Sequence, residues 1–328
     1  MLSPVILIGG WISQLFIAFY FIRSIPNPII RCILTLLPCI LLTYLVGYDF
    51  PALHMPSVGL VLFCWLVSIR LFHLIVISPN QCPTFLSFML KFLHIFFPIV
   101  PCTEYEHQQW PILYDFATAL LKIIVGHWMH RWLLTCEGSD SYPRLIMFYI
   151  LILTYSCASD IQSAIVRIVT RDRYKLRPYM NSPFLSQSLR EFWGRRYNQQ
   201  VGSVFRESIF QPVRQYISSA TIASLIVFLI SAIFHVHLGL VTFKDSRSTV
   251  SSMIFFLLHG IVCSIETHAP FRIPSSWSWF FTQLFLLLTA SLQMGPFTRI
   301  GRKYYAANTP PLFEQYWIPK LPVPNFCP

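Results

Sequence analysis

Histidine is the side chain in this sequence best suited to move a proton, and two histidines, His235 and His237, close the long apolar run that includes Phe228. Ionisable groups at membrane depth are costly and usually functional. A buried imidazole stays neutral, because burial disfavours its charged form, and it can then accept a proton. Two positions of separation turn the two side chains roughly 200° apart on a helix, so at most one can act at a given site. The alternative role is a structural hydrogen bond between helices.

A second segment, 188–198, combines aromatic side chains with two adjacent arginines and an amide. The planar forks of Arg195 and Arg196 suit phosphate groups, such as those of a nucleotide or of coenzyme A (CoA). Trp193 and Tyr197 are aromatic residues of the kind that anchor a segment at the membrane interface. The alternative is an interfacial helix with snorkelling arginines. These residue types alone do not decide between the two interpretations.

Other polar residues within apolar runs give weaker signals. His259 lies seven residues before Glu266, two helical turns away on the same face. A hydrogen bond between helices is the favoured interpretation, and a lined cavity is the alternative. The pair His127 and His130 lacks the third ligand and the acid of a metal hydrolase motif. The nine cysteines include no CxxC, and no metal site or bound cofactor is predicted.

The composition identifies the elements that must position these residues. Of the 328 residues, 55% are hydrophobic and 11% are charged, whereas a soluble domain has about a quarter charged residues. This excludes an ordinary soluble domain and a disordered chain. The sequence predicts an all-α, polytopic transmembrane helical bundle with about 7–9 spans. The candidate spans are 5–22, 32–48, 58–77, 85–100, 116–136, 145–164, 217–240, 250–268 and 277–295.

Two of these stretches also suit an interfacial location. Residues 85–100 are few and lie between prolines, and they contain Lys91 and His94. Residues 116–136 carry Lys122, His127 and Arg131, which makes that stretch amphipathic.

The charge is concentrated in one segment. The 24 Lys and Arg outnumber the 13 Asp and Glu, and 171–216 holds nine of the former and three of the latter. This pattern favours a cytosolic, topology-setting segment that touches anionic lipid over nucleic-acid binding. The predicted organisation is therefore N-terminal transmembrane helices (1–170), a basic cytosolic segment (171–216), C-terminal transmembrane helices with the histidine (217–298) and a polar, proline-rich tail (299–328).

Three local patterns resemble the wax-synthase-like branch of the membrane-bound O-acyltransferase superfamily. Residues 192–198, Phe-Trp-Gly-Arg-Arg-Tyr-Asn, resemble its Phe-Trp-Gly-Arg-Arg-Trp-(Asn/His) signature. Residues 231–235, Ser-Ala-Ile-Phe-His, are similar to the run that carries its catalytic histidine, and 256–260 with Glu266 resemble its next span. The likeness covers 177–295. Departures are Tyr197 where Trp is usual, Val236 where an acid is frequent and Ala232 where Gly is common.

The resemblance implies acyl transfer from acyl-CoA to a hydroxyl group. His235 is then the base that takes the hydroxyl proton. Asn198 orients the thioester or supports its oxyanion. Because a thioester is already activated, a base and an oxyanion donor suffice without a covalent enzyme intermediate.

The resemblance also implies the binding residues and the setting. Arg195 and Arg196 are expected at the CoA phosphates, Trp193 lines or braces the tunnel, and His259 joins the substrate-binding set. The partners are acyl-CoA, a lipophilic alcohol and the lipid bilayer, and the expected location is the endoplasmic reticulum membrane.

The substrate remains open between alternatives. The short chain is similar to fungal biosynthetic-cluster acetyltransferases, which implies transfer of acetyl from acetyl-CoA to a terpenoid or meroterpenoid alcohol in secondary metabolism. A long-chain-alcohol wax ester synthase is the alternative within the same class. From other classes, an integral terpene cyclase needs more acids than Asp160 and Glu266, and a transporter or scaffold is expected to show inverted repeats, of which the sequence has none.

Overall fold

The structure of the protein is a computed structural model, and nearly all of its regular structure is helical. It describes residues 4–48, 51–103, 111–135, 142–244, 246–268, 274–300 and 302–323. Within these ranges the strands are two short ones, β1 (Ile99–Pro101) and β2 (Tyr174–Leu176). The predicted all-α class is confirmed.

The helices follow one another with short connections. In chain order they are α1 (Pro4–Tyr20), α2 (Pro28–Tyr48), α3 (Met55–Phe72), α4 (Phe85–Leu93), α5 (Ile112–Thr135), α6 (Tyr142–Thr154), α7 (Cys157–Val169), α8 (Leu189–Glu191), α9 (Gln199–Phe205), α10 (Gln211–Ile217), α11 (Ala220–Phe243), α12 (Arg247–His268), α13 (Ser275–Ile300) and α14 (Arg302–Ala307). Wider π-helical turns cover His73–Ile77, Phe192–Arg196 and Arg206–Phe210. Single turns of 3₁₀ helix cover Ile22–Ser24, Pro79–Gln81, Pro183–Leu185 and Pro311–Glu314.

Eight stretches of the described residues are long and apolar enough to cross a bilayer. They are Ile6–Ser24, Pro28–Tyr48, Met55–Ile77, Ile112–Thr135, Tyr142–Val169, Ala220–Phe243, Thr249–His268 and Ser275–Ile300. Each corresponds to a predicted span, and their number lies within the predicted range. The protein is an integral, multi-pass membrane protein.

The stretch 85–100 does not form a span. Helix α4 has nine residues, about 13 Å of length at 1.5 Å per residue, whereas the hydrocarbon core is about 30 Å thick. The chain then enters β1, with Pro98 before it and Pro101 at its end. Proline does not fit inside a helix, so these residues favour the end of helical structure here. The interfacial alternative therefore fits this stretch better than a span.

The doubtful stretch 116–136 does lie in a span-length helix, α5. Its charged residue Lys122 forms an ion pair with Asp160 of α7 at 2.6 Å. Charged side chains within a membrane segment are tolerated when they pair with one another. The ion pair between two helices thus explains why a helix with an amphipathic sequence can cross the membrane. The sequence of a single helix does not reveal such a partner.

The chain packs as two compact units. The first comprises Met1–Phe96 and Val201–His268, and the second comprises Phe97–Gln200 and Ala269–Pro328. This grouping follows packing, whereas the divisions predicted at 170, 216 and 298 follow composition.

The core of the first unit is built from α1, α2, α3, α4 and α11. Its buried side chains include Trp11, Val61, Leu71, Phe88 and Phe234. An ion pair joins the π-helical turn Arg206–Phe210 to this core. Arg70 of α3, which is 5% exposed, lies 2.9 Å from Glu207 of that turn and donates a hydrogen bond to the Lys91 carbonyl oxygen.

The second unit contains α5, α6, α7, α13, α14 and the two strands. The strands pair antiparallel, with Val100 opposite Lys175. Arg167 at the end of α7 binds Asp115 at 2.8 Å and Asp172 at 3.2 Å. The proline-rich tail contains the helix α14.

Candidate active site

His235 lies well inside helix α11. The helix begins after Ser219, whose side chain accepts a hydrogen bond from the Ile222 N–H at 3.3 Å, the usual role of serine before a helix. His235 follows the first helical residue by fifteen positions, roughly 22 Å along the axis, which places it deep in the span.

One ring nitrogen of His235 has a fixed proton. Nδ1 lies 2.8 Å from the Ser231 carbonyl oxygen, one helical turn back. Because a carbonyl oxygen only accepts hydrogen bonds, Nδ1 must carry the hydrogen and Nε2 the lone pair. A backbone partner at one nitrogen sets the tautomer and makes the other nitrogen the basic atom. The arrangement can therefore accept a proton at Nε2.

Aromatic rings cover the imidazole. The Phe256 ring of α12 lies 4.1 Å from the His235 ring, centroid to centroid, and the Phe234 ring lies 4.6 Å away. Close helix packing makes the first contact possible. A Cβ atom on Gly260 would lie only 2.9 Å from Phe228 Cβ, so the absence of a side chain at Gly260 lets α11 and α12 approach.

His237 faces a different neighbour. Its Nδ1 accepts a hydrogen bond from Trp65 Nε1 of α3 at 3.0 Å. A Cβ atom on Gly47 of α2 would lie 3.3 Å from His237 Nε2. His235 therefore packs on α12 and His237 on α2 and α3, as the two-residue spacing predicts. His237 makes the structural interhelical bond that was the alternative for this pair.

His259 is fully enclosed. Its exposed fraction is 0%, and its ring lies 4.1 Å from that of Phe255. Phe255 and Phe256 are consecutive on α12, so one ring packs on His259 and the next on His235. This places His259 within the packed interior of the first unit, and its role in binding substrate stays a prediction.

The signature segment has an unusual backbone. Ser188 caps its start by accepting a hydrogen bond from the Glu191 N–H at 2.9 Å. Phe192–Arg196 then forms a π-helical turn, closed by the Tyr197 N–H bonded to the Phe192 carbonyl at 2.8 Å. Asn198 follows with φ of 42°, in the left-handed region where asparagine is the commonest residue after glycine. Both features are enriched at functional sites.

A stack of aromatic rings holds this turn. Phe192 is 2% exposed, its ring lies parallel to that of Tyr197 at 5.0 Å, and Trp193 packs edge-on against both, at 5.1 and 5.2 Å. Burial raises the pKa of Tyr197 well above its usual range, with smaller contributions from Tyr179 and Tyr149 in the same direction. Trp193 therefore braces the turn, and Tyr197 stays a neutral phenol.

The two adjacent arginines have different surroundings. Arg196 Nε donates to Glu191 Oε1 at 2.6 Å, and its Nη1 donates to the Asn181 carbonyl at 3.3 Å. Arg195 is exposed and donates no hydrogen bond to any residue in the part of the chain that the structure describes. Arg196 thus fastens the turn, and Arg195 keeps its fork available.

Glu191 is the acid that sequence reasoning missed. Partial burial opposes its ionisation, but hydrogen bonds from the Gln187 N–H at 2.8 Å and from Arg196 outweigh that effect and lower the pKa of Glu191. The available signal was a glutamate five residues before the second arginine, which meets it only because the intervening turn is π-helical.

Residues 179–181 support Asn198 from the other side. The Asn198 N–H donates to Met180 Sδ at 3.3 Å, the Gln199 N–H to the Tyr179 carbonyl at 2.9 Å, and the Asn181 N–H to the Arg196 carbonyl at 2.8 Å. Several bonds thus hold the left-handed residue in place.

The predicted site residues fall in both units. His235 and His259 belong to the first unit, and Trp193, Arg195, Arg196 and Asn198 belong to the second. Besides Glu191, sequence reasoning missed the contacts that Ser231 and Phe256 make with His235. Among the residues that the structure describes, no group of three His, Cys, Asp or Glu is placed to hold a metal ion.

Part of the chain is similar to a known protein family. Residues 176–258 match the model of the membrane bound O-acyl transferase family. This range includes both the signature turn and His235.

Curated relatives extend the likeness beyond the matched range. The chain is 24% identical over 307 residues to acyl-CoA–sterol O-acyltransferase 1 of Arabidopsis thaliana, covering 86% of each protein. It is 25% identical over 275 residues to long-chain-alcohol O-fatty-acyltransferase of Simmondsia chinensis, covering 78% of this chain and 77% of the relative. It is 33% identical over 151 residues to probable long-chain-alcohol O-fatty-acyltransferase 9 of Arabidopsis thaliana, covering 40% and 43%. These matches support the membrane-bound O-acyltransferase superfamily and an acyltransferase enzyme.

Proposed function

We propose that this protein transfers an acyl group from acyl-CoA to the hydroxyl group of a lipophilic alcohol inside the membrane, with His235 as the base. The observation that carries the proposal is the bond from His235 Nδ1 to the Ser231 carbonyl at 2.8 Å. It leaves the lone pair on Nε2 of a histidine that lies deep in a span, and residues 176–258 around it match an acyltransferase family.

The reaction then needs one proton acceptor and one oxyanion donor. His235 Nε2 accepts the hydroxyl proton while the alcohol oxygen forms a bond to the thioester carbonyl carbon. The carbonyl becomes an oxyanion, which collapses as the carbon–sulfur bond breaks. The CoA thiolate leaves and takes the proton back from Nε2, so the histidine is neutral again. The Phe256 ring packs against the imidazole.

Asn198 is proposed as the second polar group, which orients the thioester or donates to the oxyanion. A single such donor contributes about 2.7–4 kcal/mol in well-studied acyl transfer. Its left-handed backbone, held by Met180 and its neighbours, supports a role that requires a fixed side-chain direction.

CoA phosphates are proposed to bind Arg195. The two arginines predicted to bind CoA are thus given different roles. Arg196 is bonded to Glu191 and acts as a positioning residue. Trp193 braces the turn between them. The signature segment would face the cytosol, where CoA is available, and the proposed location is the endoplasmic reticulum membrane.

The acyl group and the acceptor are proposed from the relatives. Those compared here are named as sterol and long-chain-alcohol acyltransferases, which favours a fatty acyl donor and a fatty alcohol or sterol acceptor. This choice revises the expectation of acetyl transfer to a terpenoid alcohol, which the comparisons do not support.

The test is a panel of acyl transfer reactions in membranes that contain or lack the protein. The donors are labelled acetyl-CoA and labelled oleoyl-CoA, and the acceptors are hexadecanol, a sterol and a terpenoid alcohol. We expect oleoyl esters of hexadecanol or of the sterol only when the protein is present. Acetyl esters of the terpenoid alcohol would instead restore the original substrate prediction. No ester from any pair, with correctly folded protein, would favour a transporter or scaffold.

A further inference from the structure

A buried arginine in the second unit has no acidic partner among the residues that the structure describes. Arg144, in the first turn of α6, is 1% exposed and is the largest fully buried side chain among the described residues. Its Nη1 donates to the Thr298 carbonyl of α13 at 3.3 Å. Its Nε and Nη2 are buried and have no hydrogen-bond partner within the described part of the chain. An enclosed charge without a counter-charge is strongly unfavourable.

The unused nitrogens form one edge of the guanidinium group. Nε–H and Nη2–H point in parallel, and this is the geometry by which arginine binds two oxygens of a carboxylate or phosphate. The neighbouring Tyr305 of α14 is 2% exposed, and its hydroxyl is also buried without a partner. The unsatisfied groups at this place thus offer three hydrogen-bond donors, and such a set matches an oxyanion.

Packing brings Arg144 and Tyr305 to the same place. Phe148, one turn after Arg144 on the same face of α6, packs its ring 5.9 Å from Tyr305 and 5.0 Å from Phe297. Thr298, the acceptor of Arg144, is the residue after Phe297. Burial raises the pKa of Tyr305, and the charge of Arg144 opposes that rise, which agrees with their proximity.

The location within the spans indicates the source of the anion. Arg144 is the third residue of the span Tyr142–Val169, and Thr298 is the third from the end of Ser275–Ile300, so both lie where phospholipid headgroups begin. Exposed Arg299, Arg302 and Lys303 follow at the same end. Basic residues near the membrane surface attract anionic lipid.

The other end of the span leads to the signature segment. The span Tyr142–Val169 consists of α6 and α7, with 13 residues each. Each helix is about 20 Å long at 1.5 Å per residue, so the two together are long enough to cross the hydrocarbon core of about 30 Å. Arg144 and the segment that begins at Arg171 therefore belong to opposite membrane surfaces. A CoA molecule held by Arg195 would lie at the far surface from Arg144.

We propose that the unused edge of Arg144, together with the Tyr305 hydroxyl, binds the phosphate of a phospholipid headgroup from the leaflet at this end of α6. The shared chemistry is a phosphate oxyanion, so inorganic phosphate and CoA are the competing sources. The site is separate from the residues proposed for acyl transfer, and its failure would leave the proposed function intact.

The experiment measures lipid-dependent thermal stability of the full-length protein, purified in a delipidating detergent, by tryptophan fluorescence. Dioleoyl phosphatidic acid is titrated, and dioleoylglycerol, which has the same chains without phosphate, is the matched lipid control. Inorganic phosphate and CoA are titrated separately. We expect phosphatidic acid alone to raise the Tm of the wild type.

The variants distinguish binding by the two parallel N–H donors of Arg144 from attraction by positive charge alone. Arg144→Lys keeps the charge but loses the two parallel donors, so the half-saturating concentration of phosphatidic acid is expected to rise roughly tenfold or more. Tyr305→Phe removes one donor and is expected to give a smaller rise. Arg299→Gln removes an exposed charge at the same end, which salt screens, and is expected to raise the half-saturating concentration less than Arg144→Lys does.

Four results would overturn the proposal. Equal stabilisation by phosphate or CoA, dependent on Arg144, would assign the site to a soluble anion. Equal binding of phosphatidic acid by wild type and Arg144→Lys, or equal loss in Arg299→Gln, would reduce the effect to general attraction. If Arg144→Lys does not fold, Tyr305→Phe decides, and an unchanged half-saturating concentration in that variant rejects the site.

Discussion

The two adjacent arginines should respond differently to the same substitution. Arg195 is exposed and donates no hydrogen bond within the described residues, whereas Arg196 donates to Glu191 at 2.6 Å and to the Asn181 carbonyl at 3.3 Å. Replacing each with glutamine removes the charge and leaves a shorter polar side chain. We expect Arg195→Gln to weaken CoA binding without affecting folding, and Arg196→Gln to destabilise the turn.

The magnitudes follow from these contacts. A hydrogen bond to a charged group contributes about 1.5–3 kcal/mol, and each 1.4 kcal/mol is tenfold in affinity, so Arg195→Gln should raise the KM for acyl-CoA roughly tenfold with kcat unchanged. Arg196 and Glu191 are 24% and 26% exposed in their side chains. Water screens such a pair, so the Arg196→Gln substitution should lower the free energy of unfolding by about 1 kcal/mol.

The assay compares acyl-CoA with the corresponding thioester of dephospho-CoA, which lacks one phosphate. If Arg195 binds that phosphate, the wild type should prefer acyl-CoA, and Arg195→Gln should lose the preference while its Tm stays at the wild-type value. A preference retained in Arg195→Gln but lost in Arg196→Gln, with no drop in Tm, would refute the division of roles.

Three further changes test the surroundings of the site. Gly260→Ala places a Cβ atom 2.9 Å from Phe228 Cβ and should lower the free energy of unfolding by about 1–3 kcal/mol. The control Gly9→Ala, whose Cβ atom meets no atom within 4 Å, should not lower it. An equal Tm for the two variants would contradict the close packing at Gly260. Asn198→Gly keeps the backbone at φ of 42° and should retain the Tm while acyl transfer falls about 10²–10³-fold, so undiminished turnover would remove the amide from the mechanism. The pKa of Glu191 is lowered by Gln187 and Arg196 against the opposing effect of burial, so Glu191 should stabilise the fold above its unfolded pKa of about 4.3, and this stability is lost as the pH falls through the folded pKa. Thermal melts of wild type and Glu191→Gln from pH 7 to 3 should therefore converge at acid pH. A constant difference in Tm would refute the assignment.

The helical architecture follows from the sequence because apolar runs of about 20 residues have few alternatives in a membrane. The exception, 85–100, shows the limit of that argument. Its hydrophobicity suits a span, but helix α4 ends at Leu93. Strand β1 then pairs with β2, about 75 positions away in the sequence (Val100 with Lys175). A single-sequence pattern does not contain such a partner.

Parts of the candidate site were equally accessible from sequence, and parts were not. His235 follows from its place at the end of an apolar run, and Ser231 one turn before it is a local partner. The different roles of Arg195 and Arg196 could not be predicted, because they depend on the π-helical turn that brings Glu191 to Arg196. Two adjacent arginines therefore have different hydrogen-bond partners because of the local backbone conformation.

The central claim, that His235 is the base, is tested most directly by comparing His235→Ala with His268→Ala. His268 makes the same local contact, Nδ1 to the carbonyl of the residue four before it at 2.8 Å, but at the exposed end of α12. Removal of a general base slows turnover about 10²–10⁴-fold, so acyl transfer at equal protein level should fall by that factor in His235→Ala and remain at the wild-type rate in His268→Ala. Full activity of His235→Ala would contradict the account.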